Sequence, residues 1–245
     1  MKDMLLSFHS YKGGTGKTTF VGNLGVLLAK RGGKVCIVDT DVNGPGIHSL
    51  FNIKYDMTLI DFLQGRCRAE DIIYEYDGDG LELYIVPTRA CEEDISSLFD
   101  TPAEAREKMS ELINALQRDL LIEHLIFDCS PGINRSSLLT MNLADKATII
   151  CTIDVQDIRG TYILSNMADK LGTKANLLFN RTPRDKQKEI EEVIKDFSNK
   201  LGTYLLGSMT FDDYVARAWS RKLVMEEDPE CDYCLQLKTI AEKFV

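Results

Sequence analysis

A mostly parallel, twisted sheet of seven or eight strands with helices on both faces is the fold this sequence predicts. Three observations carry that expectation. Short apolar runs alternate with segments of helical spacing along the chain. A glycine-rich turn joins the first apolar run directly to the first helical segment. Later apolar runs end in aspartate or asparagine, which places polar groups on the edge where ligands of parallel sheets sit. The 245 residues, 44% of them hydrophobic, suit one α/β domain over residues 1–245.

Met4-Leu5-Leu6-Ser7-Phe8 reads as a buried strand, and Phe20, Leu24, Leu27 and Leu28 recur at helical spacing. Between them lies Tyr11-Lys12-Gly13-Gly14-Thr15-Gly16-Lys17-Thr18-Thr19. Glycines at a strand-to-helix turn let backbone N–H groups point inward, where the helix start adds partial positive charge. In such a loop Lys17 reaches the β- and γ-phosphates and the Thr18 hydroxyl ligates Mg²⁺.

Lys34 to Asp39 is the second strand, followed by the turn-rich Asp39-Thr40-Asp41-Val42-Asn43-Gly44-Pro45-Gly46. An acid there holds a Mg²⁺-bound water or orients the water that attacks a γ-phosphate, and Asp39 and Asp41 both stand on that edge. Met57 to Tyr76 mixes short helical patterns with acids and ends at a turn, Asp77-Gly78-Asp79-Gly80. Leu81 to Pro87 is the third strand. A helix follows from Thr101 to Leu121, with Thr101 and Glu104 spaced as a capping box and Pro102 in its first turn.

His124 to Phe127 delivers Asp128 to the same edge, where it can hold a magnesium shell. Pro131-Gly132 then makes a turn able to respond to a γ-phosphate. Ala147–Ile153 and Asn176–Arg181 are strands around a helix from Val155 to Leu171, and Tyr204–Met209 is the last strand. Asn180 offers a side-chain donor and acceptor together, as base recognition requires, although asparagine also ends strands for local reasons.

Taken together, Lys12 followed by Gly-Gly-Thr-Gly-Lys-Thr resembles the deviant Walker A motif of the ParA/MinD class of P-loop ATPases. Tyr11 stands where the standard loop has glycine. The resemblance spans the chain. It implies ATP and Mg²⁺ as cofactors, bound by Gly13, Gly14, Thr15, Gly16, Lys17, Thr18 and Thr19, with Asp128 holding the metal through water. Asp41 stands at the family's first-switch offset from Lys17. The segment from Asp128 to Gly132 resembles the second switch, with Ser130 in place of a proline. Asn180 is implied to touch adenine, and Lys12 to cross a dimer interface and touch the partner's nucleotide. The implied activity is slow, partner-stimulated ATP hydrolysis by a homodimer that forms on Mg-ATP and positions or assembles a cargo. Alternatives are an ATPase that inserts metal into a target enzyme, a non-hydrolysing ATP-dependent binding module, and a metabolic ligase.

Other features bear on partners. The net charge of −9 argues against a general polyanion binder. The basic groups Arg217, Arg221, Lys222 and Arg181, Arg184, Lys186, Lys188 leave DNA contact open, beside solvated helix faces. The closing stripe Leu237, Ile240, Ala241 and Phe244 reads as core-facing rather than lipid-binding, and no run of about 18 apolar residues occurs. Seven cysteines without framework spacing, and no leader at the start, point to a reducing cytoplasm. Cys231-Asp232-Tyr233-Cys234 has C-x-x-C spacing; small-residue packing is the expectation, with metal shared across a dimer the alternative. Cys91 and Cys129 read as strand-end packing.

Overall fold

Alternation of side chains along each strand decides the architecture, because both faces of the central strands are apolar and must be covered. The computed structural model describes residues 4–78, 80–90, 101–185, 187–218 and 221–244. Its strands are β1 (Met4–His9), β2 (Val35–Thr40), β3 (Tyr74–Glu75), β4 (Leu83–Val86), β5 (His124–Cys129), β6 (Lys146–Cys151), β7 (Ala175–Thr182) and β8 (Tyr204–Thr210). They form one eight-stranded sheet in the order β3-β4-β2-β5-β1-β6-β7-β8. Every pairing is parallel except the short antiparallel β3–β4 pair at one edge. The order and the nearly all-parallel pairing match the architecture the sequence predicts.

The helices are α1 (Lys17–Lys30), α2 (Ile47–Leu50), α3 (Leu59–Leu63), α4 (Pro102–Asn114), α5 (Arg135–Leu143), α6 (Val155–Lys170), α7 (Gln187–Leu201), α8 (Asp213–Arg217), α9 (Val224–Glu227) and α10 (Asp232–Ala241). On one face Leu6 and Phe8 of β1 join Phe20 and Leu24 of α1 and Leu237 and Ile240 of α10 in one core cluster. Their β1 neighbour Leu5 points the other way, into a cluster with Leu59, Met109 and Leu112 from α3 and α4. A third cluster sits beneath α6 and α7, with Ile149, Leu164 and Phe179. The closing helix is therefore core-facing, as its stripe predicts.

Several expected boundaries move. The strand expected over Leu81–Pro87 pairs only at Leu83–Val86, and β3, too short to show a period, was not anticipated. Thr101 does begin α4, yet its side chain makes no capping bond; Pro102 supplies the start. The expected single helix to Leu121 changes at Ala115–Asp119 into a π-helical turn. Leu121 then exits with φ 55°, which lets Ile122 turn inward and be fully buried. β6 ends at Cys151 because Asp157 takes the Thr152 N–H at 2.7 Å and Asp154 caps α6. Cys91 and Lys186 lie outside the described residues, while Cys129 is buried at a strand end as expected.

Candidate nucleotide site

The carboxyl ends of β1, β2, β5 and β7 converge on one edge. The register places Asp128 beside Phe8 on one flank and Asp39 on the other. The loop after β1 closes with Gly14 at φ 78° and Gly16 at φ 87°, the second being the N-cap of α1. A Cβ on Gly16 would also sit 2.5 Å from the Asn180 side-chain nitrogen, so both backbone and space require glycine there. The first intrahelical bond runs from Phe20 N–H to Gly16 O at 2.9 Å. Helix geometry leaves the N–H groups of Lys17 and Thr18 for an outside acceptor.

Asp128 joins the two groups that sequence assigned to phosphate and metal. Lys17 Nζ donates to its Oδ1 at 2.5 Å, and Thr18 Oγ1 donates to its Oδ2 at 2.7 Å. Both charges are buried. Burial pulls the Lys17 ammonium down, but the Asp128 charge and hydrogen bond outweigh it, so its pKa is raised. The hydroxyl of Thr18 and the carboxylate of Asp128 are hard oxygen donors on one spot, the set that Mg²⁺ prefers. These residues fit a nucleotide-bound magnesium.

Asp39 is the hub of the loop after β2. It accepts N–H groups from Asp41 at 2.9 Å, Gly46 at 3.0 Å and Ile47 at 3.1 Å. Burial and then the nearby Asp128 push its pKa up to about 8. Asp41 accepts from Asn43 and Gly44. Burial raises its pKa, with Lys17 opposing and Asp128 adding. Ser130, at the position where proline was expected, donates to Thr40 O at 3.2 Å and so latches the two loops together. Gly132 N–H is held by Ser10 O at 2.8 Å.

Two hollows lie on either side of the glycine loop and share Gly14, Gly16 and Thr19. One, of about 410 Å³, is lined by Lys17, Thr18, Asp41 and Pro131. The other, of about 270 Å³, is lined by Asn180, Arg181, Phe211, Asp212 and Tyr233. Asn180 faces the loop: its amide donates to Thr15 O at 2.8 Å and its oxygen accepts the Arg181 N–H at 2.9 Å. Arg181 adopts φ 58°, donates to Gly14 O at 2.6 Å, and lies over the Phe211 ring.

Lys12 stands at the loop mouth, bonded to Asp154 Oδ1 at 2.6 Å. The Lys12 hydrogen bond holds Asp154 below the usual carboxylate range. Behind it the Tyr11 ring lies flat against Gly160 of α6, where a Cβ would fall 1.9 Å from the ring. Sequence reading did not find Asp154, Arg181 or Ser130 in these roles. An aspartate directly before the helix at Val155 is an N-cap signal that could have found Asp154. Of the basic groups, Arg184 is tied to Asp212 and Asp232, and Lys222 to Glu227.

Fold and loop together define a P-loop nucleotide-binding protein. The AAA domain family model matches residues 4–181, and the chain belongs to that family, as a P-loop ATPase of the ParA/MinD type. It is 26% identical over 247 residues to the septum site-determining protein MinD of Bacillus subtilis, covering 96% of this chain and 87% of that protein. It is 29% identical to an uncharacterised ATP-binding protein of Methanocaldococcus jannaschii, covering 87% and 76% of the two chains. Among solved structures, MinD of Pyrococcus horikoshii complexed with Mg-ADP aligns with TM-score 0.80 at 24% identity, covering 100% of this chain and 96% of that one. No helix among the described residues is long and apolar enough to cross a membrane.

Proposed function

We propose that residues 1–245 act as one ATPase domain, a molecular switch that dimerises on Mg-ATP and positions or assembles a cargo. The observation that carries this reading is Asp128, buried and bonded to both Lys17 and Thr18 at the mouth of an oxygen- and N–H-lined hollow. In this reading Gly13 to Thr19 cradle the phosphates, and Lys17 exchanges its Asp128 bond for phosphate oxygens. Mg²⁺, bound by Thr18 directly and by Asp128 through water, supplies charge neutralisation at the phosphates. Asp41, whose pKa burial raises, orients the attacking water. Gly132 leaves Ser10 O to meet the terminal phosphate. Asn180 exchanges its Thr15 bond for the base edge.

Lys12 completes the partner's site. Its present bond to Asp154 is between exposed groups, so exchanging it costs little. Hydrolysis is slow, stimulated by a partner protein, and resets the dimer. A role in division-site placement or plasmid partition draws support from relatives of those descriptions, one of them a putative plasmid partition protein of Borrelia burgdorferi bound to AMPPNP. DNA is an admissible cargo surface through Arg217 and Arg221; membrane contact has less support because the closing stripe is buried. A cytoplasmic setting fits the free cysteines. The test is sedimentation of Asp41→Ala with Mg-ATP, beside γ-phosphate release from the wild type. Expected are an ATP-dependent dimer, lost on adding Lys12→Ala, and measurable turnover. A monomer under saturating Mg-ATP would sink the switch reading.

A second reading, metal insertion, is favoured by one relative: an iron-sulfur cluster carrier protein of Aquifex aeolicus is 26% identical, covering 86% of this chain and 58% of that protein. Among the described residues no group of three or more potential ligands gathers, so Cys231 and Cys234 would need a second chain to complete a site. Metal analysis of purified protein separates the two readings.

A further inference from the structure

The smaller hollow has a wall that carries two thiols. Cys231 is the N-cap of α10, and Cys234 is its third helical residue. Cys234 is buried and Cys231 half-buried, and both thiols are free. Helix geometry sets Cα atoms three residues apart about 5 Å from one another, inside the roughly 4.4–6.8 Å Cα range of a disulfide. Tyr233, between them, lines the hollow beside Phe211, Asp212 and Val215, and its buried hydroxyl has no hydrogen-bond partner among the described residues.

The same helical turn braces the rest of that wall. Asp232 accepts Arg184 at 2.9 Å while Arg184 also donates to Asp212 at 2.8 Å. Gln236 accepts the Thr210 N–H at 2.8 Å and donates to Asp232 O at 3.1 Å. Any shift in the first turn of α10 is thereby passed to Thr210, Asp212 and Tyr233 together.

We propose that Cys231 and Cys234 form a reversible dithiol–disulfide site whose closure weakens nucleotide binding in the adjoining hollow. A small-molecule disulfide is the oxidant. The Cys231 thiolate attacks one of its sulfurs and expels the first small thiolate, which takes up a proton. Cys234, once deprotonated by solvent, attacks the mixed disulfide at Cys231 Sγ and expels the second. The protein loses two electrons and two protons, and the oxidant becomes two thiols. Burial pushes the Cys234 thiol up, so this second step is the slower one. Closing a sulfur–sulfur bond of about 2.05 Å draws in the turn that carries Tyr233. In a reducing compartment such a bond is transient, as in redox sensing.

The coupling rests on reading the hollow as the nucleotide's base site, and the experiment separates the two ideas. Reduced full-length protein is titrated with oxidised and reduced glutathione. Free thiols are counted by maleimide mass addition and mapped by peptide. Amide exchange over residues 210–216 is followed without nucleotide, and ADP affinity is measured in both states. Expected are loss of two thiols mapped to Cys231 and Cys234, faster exchange over 210–216, and ADP affinity lower by about fivefold or more. Reductant reverses all three, and the double variant Cys231→Ser, Cys234→Ser shows none. By linkage, bound ADP hinders oxidation by the same factor. Retention of both thiols, pairing with another cysteine, or unchanged exchange overturns the proposal, as does equal ADP affinity in the two states. A disulfide that speeds exchange in protein that never binds ADP upholds the thiol site, and it overturns both the claimed effect on nucleotide and the ATPase reading.

Discussion

At the scale of single residues, the chemistry is set by how few donors and acceptors are left over beneath the loop. His9 is the last residue of β1 and is fully enclosed. Its Nε2 meets Ser7 Oγ at 2.9 Å, while Nδ1 is buried without a partner among the described residues. Burial, and then the Lys17 charge, lower its pKa to about 3. The unfolded chain takes up a proton below pH 6.5 that the native state refuses until about pH 3. Stability from this group is therefore present above 6.5 and lost as pH falls towards 3, by up to about 1.4 kcal/mol per unit. Asp39, raised to about 8, works in the opposite sense over part of that range, so the comparison must be between variants. Urea unfolding at pH 7 and pH 5 should show His9→Gln losing less stability on acidification than the wild type; equal losses would remove His9 from the account. Legibility at this scale followed chain distance. Lys17 and Thr18 could be placed beside the loop from sequence because a short covalent spacing fixes them there. Asp154 could not be, because its bond to Lys12 closes a loop of 142 residues and has no local signature. Asn180 was readable as a residue, but its grip on Thr15 is a tertiary fact.

At the scale of elements, α6 sets the loop. Its N-cap, Asp154, holds Lys12, and six residues further on Gly160 receives the Tyr11 ring. A methyl group at 160 gains helix propensity of roughly 0.5–1 kcal/mol but meets the ring within bonding distance, and overpacking of this kind costs about 1–3 kcal/mol. Gly160→Ala should lower stability, and Tyr11→Ala in the same chain should recover most of the loss. A double-mutant cycle by denaturant unfolding checks this, and additive effects would contradict the contact. Long apolar strands and the α1 pattern were legible because their periods run over several residues. β3, with two residues, and the π-helical turn at Ala115–Asp119 were not, because each depends on what packs beside it.

For the molecule as a whole, ligand binding and stability are one quantity. A ligand at 100 times its Kd adds about 2.7 kcal/mol to the folded state. Thermal unfolding with ADP should show this increment, and Mg²⁺ should enlarge it. Thr18→Ala should keep the magnesium-free part and lose the enlargement; a Thr18→Ala chain that still responds to Mg²⁺ would remove that hydroxyl from the metal site. The fold as a whole was the most legible level, since seven of the eight strands and the order of their polar ends follow from pattern alone. The two chambers on either side of the Gly14–Gly16 ridge were not visible in sequence at all. They share Gly14, Gly16 and Thr19 as a common wall, so a compact anion and a flat aromatic fragment can lodge on its two sides. Tethering two such weak binders makes the second docking intramolecular, a route to tight inhibitors that imitate neither nucleotide nor product.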